Sequence, residues 1–342
     1  MPRRRFPHLL PFLLSLLTGL AAPPAASAPA GYDQRAEARA FAADVAQRRG
    51  LDADWIVEQL AQARLRPAAQ RLMMPAPPGQ PKNWAAYRAR FVEPQRIEAG
   101  AAFWRANADV LSRAEAIHGV PAEIIVGIIG VETFYGRVMG SFRVIDALAT
   151  LAFDFPSGRS DRGSYFREQL EEFLVWTRRE ARAPTAVVGS FAGAIGLPQF
   201  MPGSINRYAV DFDGDGHIDL HDSAIDAIGS VARFLAEHGW RRGQPTHYPV
   251  TPPADRGARA RLLAPDIVPG FGATEFAALG AALDEAGLGH DGPLALVMVE
   301  NGDDAPSYVA GTENFYVLTR YNRSSYYALA VIELGAAIRR QR

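Results

Sequence analysis

The chain has no cysteine. It therefore offers no thiol nucleophile and no thiolate metal site, and it forms no disulfide. Small secreted scaffolds depend on disulfides, but 342 residues suffice for one large core with a smaller lobe. Lipid attachment through an N-terminal cysteine falls away with the same absence. Also lacking is a Lys/Arg cluster with interleaved aromatics, so no nucleic-acid footprint is present. There is no repeat of solenoid period. The apolar run at residues 9–20 is too short and too interrupted by proline for a comfortable membrane span.

That run instead completes an export signal. Arg3, Arg4 and Arg5 precede it, and Ala26-Ser27-Ala28 and Ala28-Pro29-Ala30 offer small-residue cleavage sites after it. Pro29 directly follows the first site, which favours cleavage after Ala30. The expectation is a soluble periplasmic monomer without a lipid anchor, its fold beginning after residue 30. The leader holds three arginines and no acid, so the rest is more acidic than the whole-chain net charge of −1.

Hydrophobic periodicity predicts two helices over residues 34–70, with Asp52 as an N-cap. A Pro-rich connector follows at 74–82, then helix over 84–118, stopped by Gly119. Pro121 suits the first turn of the next helix. Further helix is expected over 147–176 with a break at 154–160, and over 225–238 up to Gly239. Residues 246–250, 294–300 and 315–321 read as strands of a small antiparallel sheet, with a helix near 275–285. A final helix over 326–340 returns to the α-rich part. The predicted class is mainly α (α+β): an α-rich part over 31–240, a small β lobe over 241–321 and a C-terminal helix over 322–342.

Four segments carry chemistry. Ile125, Ile128, Ile129 and Glu132 fall at i, i+3, i+4 and i+7, which puts a carboxyl on an apolar helical stripe. Gly136 reads as the helix stop, so Glu132 would lie near the negative end of the helix dipole. Burial and that dipole both raise a carboxyl pKa, as a general acid requires. On this segment alone, a last-turn Glu that faces solvent is slightly the better reading.

The second segment, residues 211–222, sets Asp211, Asp213 and Asp215 at positions 1, 3 and 5 of an EF-hand-like loop. Gly216 stands at position 6 and His217 offers a carbonyl at position 7. This is oxygen-ligand logic for calcium. Asp222 at position 12 is short for the closing ligand, and Asp226 closes a longer loop instead. A single such loop suggests a structural ion.

In the third segment, residues 189–202, small residues allow close approach of a polymer or of another helix. Ser190 and Gln199 offer hydrogen bonds, and Phe200 and Met201 an apolar wall. The fourth segment, residues 320–327, combines Tyr321, Asn322 and Tyr327 at a junction. It suits a sugar face and its hydroxyls, or core aromatics with an Asn cap.

Taken in order, Gly130-Val131-Glu132-Thr133 with Gly136-Arg137, the 189–202 tract, the acidic loop with the 226–231 helix start, and Arg320-Tyr321-Asn322 with Tyr326-Tyr327 resemble the lytic murein transglycosylase B family. The likeness spans roughly residues 41–338. It implies a lysozyme-like core carrying α and β lobes. It implies peptidoglycan glycan strands as substrate, cut between N-acetylmuramic acid and N-acetylglucosamine. By the same likeness Glu132 is the sole catalytic acid/base, and Ser190, Gln199, Tyr321, Asn322 and Tyr327 touch substrate. Asp211, Asp213, Asp215, the His217 carbonyl and Asp226 are its calcium ligands. Leu197-Pro198 departs from the family pattern and leaves the local backbone open. The expected product is a 1,6-anhydro sugar, formed without water and without a catalytic cofactor. A lysozyme-type or chitinase-type hydrolase would need a second carboxylate, for which Asp146 and Asp154 are nearest in sequence. A non-catalytic, calcium-dependent glycan binder is the third reading.

Overall fold

The computed structural model describes residues 31–74, 81–158 and 160–342. The export signal, and the connector apart from its ends, lie outside the described residues. The first helices are α1 (Ala36–Arg49), α2 (Ala53–Gln62) and α3 (Pro67–Met73). Asp52 caps α2 as expected, accepting from the Asp54 and Trp55 amides. The long helical run breaks into α4 (Trp84–Phe91), α5 (Pro94–Ala106) and α6 (Ala108–His118). Pro94 forces the first break, and the Glu93 carboxylate caps the amides that follow it. Gly119 stops α6 in the left-handed region.

Next come α7 (Ala122–Thr133), β1 (Phe142–Arg143), α8 (Val144–Phe153), α9 (Gly163–Arg179), β2 (Val188–Gly189), α10 (Pro202–Tyr208) and α11 (Ala224–Glu237). Pro121 sits just before α7 rather than inside its first turn. The β lobe contributes β3 (His247–Thr251), α12 (Arg256–Leu263), α13 (Ala273–Ala278), β4 (Ala282–Leu283), α14 (Glu285–Leu288), β5 (Ala295–Asn301) and β6 (Asp304–Gly311). The chain closes with α15 (Glu313–Tyr321) and α16 (Ser325–Gln341). The lobe's sheet is antiparallel in the order β4-β3-β6-β5, with its own core around Leu262, Phe276, Leu294 and Leu296.

Two expectations for this lobe are corrected. Residues 315–321 are helix, not strand. Their Phe, Tyr, Val and Thr content suggests a strand, but Phe315, Leu318 and Thr319 are buried at i, i+3 and i+4. The Thr312 hydroxyl caps the start by accepting from the Asn314 amide. The missing sheet partner is the more polar β6. The helix expected near 275–285 is the short α13, with β4 and α14 following.

The packing of α7 against α16 positions the site. A Cβ on Gly127 would lie 2.5 Å from the Val331 carbonyl oxygen, and one on Gly335 would lie 2.2 Å from that of Glu123. Both glycines are therefore required by backbone contact. The pairs 127–331 and 123–335 run in opposite directions. The end of α7 consequently meets the start of α16.

Candidate active site

Helix α7 is buried on all sides, with Ile124 to Val131 all buried. The apolar stripe expected around Glu132 is thus only part of a fully enclosed helix. Glu132, in the last turn, is its first partly accessible residue after that run. The helix ends at Phe134, which takes φ 53°, and Tyr135 and Gly136 follow at 58° and 87°. The stop therefore comes two residues before the glycine that was expected to make it. Thr133 secures this end, its hydroxyl donating to the Leu197 carbonyl at 2.9 Å.

The antiparallel contact with α16 delivers Tyr327 to Glu132. The Tyr327 hydroxyl donates to Glu132 Oε1 at 2.7 Å. Tyr321 stacks on Tyr327, with ring centres 6.2 Å apart and planes 13° from parallel. Tyr87 of α4 also feels this carboxyl: burial first, and then the Glu132 charge, raise the phenol's pKa. No local sequence signal marks Tyr87; only the packing of α4 brings it here.

Burial pushes the Glu132 carboxyl up to about 7, against a smaller opposing effect from the Tyr327 hydrogen bond. Burial, and then the nearby Glu132 charge, push the Tyr321 and Tyr327 phenols well above their ordinary value. The surroundings of Glu132 are thus phenols that stay protonated, and its acid has a pKa suited to giving and taking a proton at neutral pH.

The two other acids considered are occupied elsewhere. Asp146 is fully buried, 2.6 Å from Arg66, and accepts from the Arg64 amide at 3.0 Å. Asp154 accepts from the Tyr32 hydroxyl and from Arg35, both at 2.7 Å.

The glycine-rich tract is a hub. Leu197 and Pro198, whose backbone was left open by the sequence, are held from three sides. The Leu197 amide donates to the Leu220 carbonyl at 2.8 Å. Its carbonyl takes Thr133, and the Pro198 carbonyl takes the Tyr321 hydroxyl at 2.6 Å. Gly196, at φ 73°, presses on Leu220, where a Cβ would lie 2.2 Å from the carbonyl oxygen. Gln199 sits at φ 50°, its side-chain nitrogen donating to Met139 and Gly196 carbonyls at 3.2 and 2.9 Å. Ser190 turns the chain by accepting from the Ala192 and Ala194 amides. Phe200 is buried against Phe234 and Tyr321, Met201 is partly accessible, and Asn322 is exposed.

In the acidic loop, carboxylate oxygens of Asp211, Asp213 and Asp226 lie within 4.8 Å of one another. Asp226 is buried, and its oxygens accept from the Phe212 and Asp219 amides, each at 2.8 Å. Burial and the charge of Asp213 raise its pKa, although those amides oppose the rise. Such a trio of hard oxygens, one of them desolvated, fits a calcium ion. Asp215 stands outside the trio, and its carboxylate accepts from the His217 amide. Asp222 is exposed and pairs with His221.

A family model described as the transglycosylase SLT domain matches residues 33–336. The chain belongs to this transglycosylase family. It is 41% identical over 313 residues to the membrane-bound lytic murein transglycosylase B of Escherichia coli (strain K12), covering 88% of this chain and 82% of that protein. Catenated lytic transglycosylase SltB1 from Pseudomonas aeruginosa superposes with a TM-score of 0.83 at 40% identity, over 91% of this chain and 99% of that one. The Escherichia coli lytic transglycosylase Slt35 in complex with calcium gives 0.78 at 40% identity, over 91% and 95%. This SLT-family chain is a lytic transglycosylase, mostly helical with small antiparallel sheets like these relatives. Among its described residues, no single helix is long and apolar enough to cross a membrane.

Proposed function

We propose that this transglycosylase cuts peptidoglycan strands between N-acetylmuramic acid and N-acetylglucosamine, in the periplasm, with Glu132 as its single acid and base. The observation that carries the reading is a carboxyl raised to about 7, faced by phenols, with Asp146 and Asp154 tied up in their own ion pairs.

Tyr327 occupies Oε1, so the acid proton resides on Oε2. Glu132 gives that proton to the glycosidic oxygen as the bond to C1 of muramic acid breaks. The N-acetylglucosamine leaves as the alcohol. The resulting carboxylate, stabilised by the Tyr327 hydroxyl, takes the proton of the C6 hydroxyl as that oxygen bonds to C1. Glu132 ends protonated, and no water is consumed. The attacking hydroxyl belongs to the same sugar, so its effective concentration is high enough to outrun water. Ser190, Gln199, Met201, Tyr321 and Asn322 line the path of the strand, with Phe200 backing them. Asp211, Asp213 and Asp226, with Asp215 and the His217 carbonyl, would hold a structural calcium. Through Leu220 that loop bears on Gly196 and Leu197, so its role is to stiffen the hub.

The test is mass spectrometry of purified peptidoglycan digested with the protein. Muropeptides ending in 1,6-anhydro-muramic acid, lighter by about 18 Da (one water) than hydrolysed ends, are expected. Reducing ends would make the protein a hydrolase.

A further inference from the structure

Gln199, Phe200, Met201 and Tyr321, assigned above to the path of the strand, also line a cavity of about 400 Å³. The rest of its wall includes Tyr165, Tyr208, His238, Arg207 and Arg320, and no Asp or Glu contributes. Its charge is thus cationic, in a chain whose net charge is −1. Arg207 projects from α10, is exposed, and forms no ion pair or hydrogen bond among the described residues. Arg320, on the last turn of α15, has only the Tyr316 ring and hydroxyl as partners there. Two arginines without carboxylate partners thus line one cavity together with aromatic side chains, and guanidinium donors suit an anion.

The sugars of a glycan strand carry no charge. Its carboxylates hang on the lactyl arm of muramic acid, at the end of that arm when it is bare and on the stem peptide when one is attached. We propose that this cavity is a carboxylate subsite for that side arm, with Arg207 and Arg320 as specificity-determining ligands. This rests on the peptidoglycan reading above. Occupation of the cavity fixes the register of the strand, because Gln199 and Tyr321 belong to both sites.

The experiment compares kcat/KM on three substrates: peptide-bearing strands, the same strands with their carboxylates chemically amidated, and strands stripped of peptide by an amidase. Wild type is expected to favour strands that present the recognised carboxylate over amidated strands by roughly tenfold, the size of a charge-assisted pair. The preference should sit mainly in KM and fade as salt is raised. Arg207→Ala and Arg320→Ala should each reduce it while leaving the rate on amidated strands unchanged. Preference for stripped strands over both others places the lactyl carboxylate in the cavity, and preference for native strands over both amidated and stripped ones places a peptide carboxylate there. Equal rates of wild type on native, amidated and stripped strands, or an equal loss by the variants on all three, would overturn the proposal. Anhydro ends from amidated strands test the underlying reaction separately, so failure of one reading is visible without the other.

Discussion

Glu132 and Asp146 are two acids drawn into the protein, the first partly accessible and the second not, and their surroundings set them opposite tasks. Asp146 is inaccessible and faces Arg66 at 2.6 Å, Arg143 at 3.7 Å and a backbone amide. Glu132 has one phenol at 2.7 Å, and burial raises its carboxyl to about 7. Burial with cations locks a carboxylate into structure, whereas burial among phenols leaves a proton free to move. The comparison predicts opposite phenotypes.

Glu132→Gln should cut turnover of peptidoglycan by roughly a thousandfold or more, the scale of general acid–base catalysis, with the circular dichroism spectrum retained. A variant that keeps a substantial fraction of the rate would break the contrast at once. Asp146→Asn should do the reverse. Arg66 is partly exposed, so the loss of its charged partner costs about 1–3 kcal/mol, read as a lower denaturant midpoint, while activity per folded molecule persists.

A pH series sharpens the same point. Glu132 has a folded pKa raised from 4.5 to about 7, so its contribution to stability is fully present below pH 4.5 and is lost as pH rises through 7. Glu132→Gln carries no such loss. Its stability relative to wild type should therefore rise between pH 4 and pH 8 by at most about 3 kcal/mol. A pH-independent difference would mean that the carboxyl is not perturbed.

Tyr327→Phe removes the hydrogen bond that lowers the Glu132 pKa. The alkaline limb of the rate profile should move to higher pH, and the rate should fall by about tenfold. An unmoved limb would detach Tyr327 from the acid. The smallest effect belongs to the acidic loop: chelation should lower the melting temperature by a few degrees, and Asp226→Ala should abolish that response to calcium. A chelation-insensitive wild type would argue against the ion.

Much of this was legible in the chain itself. Gly119 and Asp52 marked a helix stop and start through local geometry, and the repeated acids of residues 211–226 marked their loop by spacing. The likeness to the lytic murein transglycosylase B family directed attention to Glu132. The stripe argument alone was weak, because α7 is buried on every side. Residues 315–321 misled because their strand-favouring composition was overridden by a Thr312 cap and a buried i, i+3, i+4 face. Tyr87 had no local signal, since its place beside Glu132 depends on how α4 packs. The hub role of Leu197-Pro198 was equally hidden, as its three partners come from distant segments.

The most direct test is to titrate the carboxyl of Glu132 itself, by carbon-13 NMR of protein labelled at glutamate side chains, with Glu132→Gln to assign the signal. A midpoint near pH 7 is what the phenol-lined burial predicts. A midpoint at the ordinary value near 4.5 would contradict the account, because Glu132 would then lack the proton that the reaction needs.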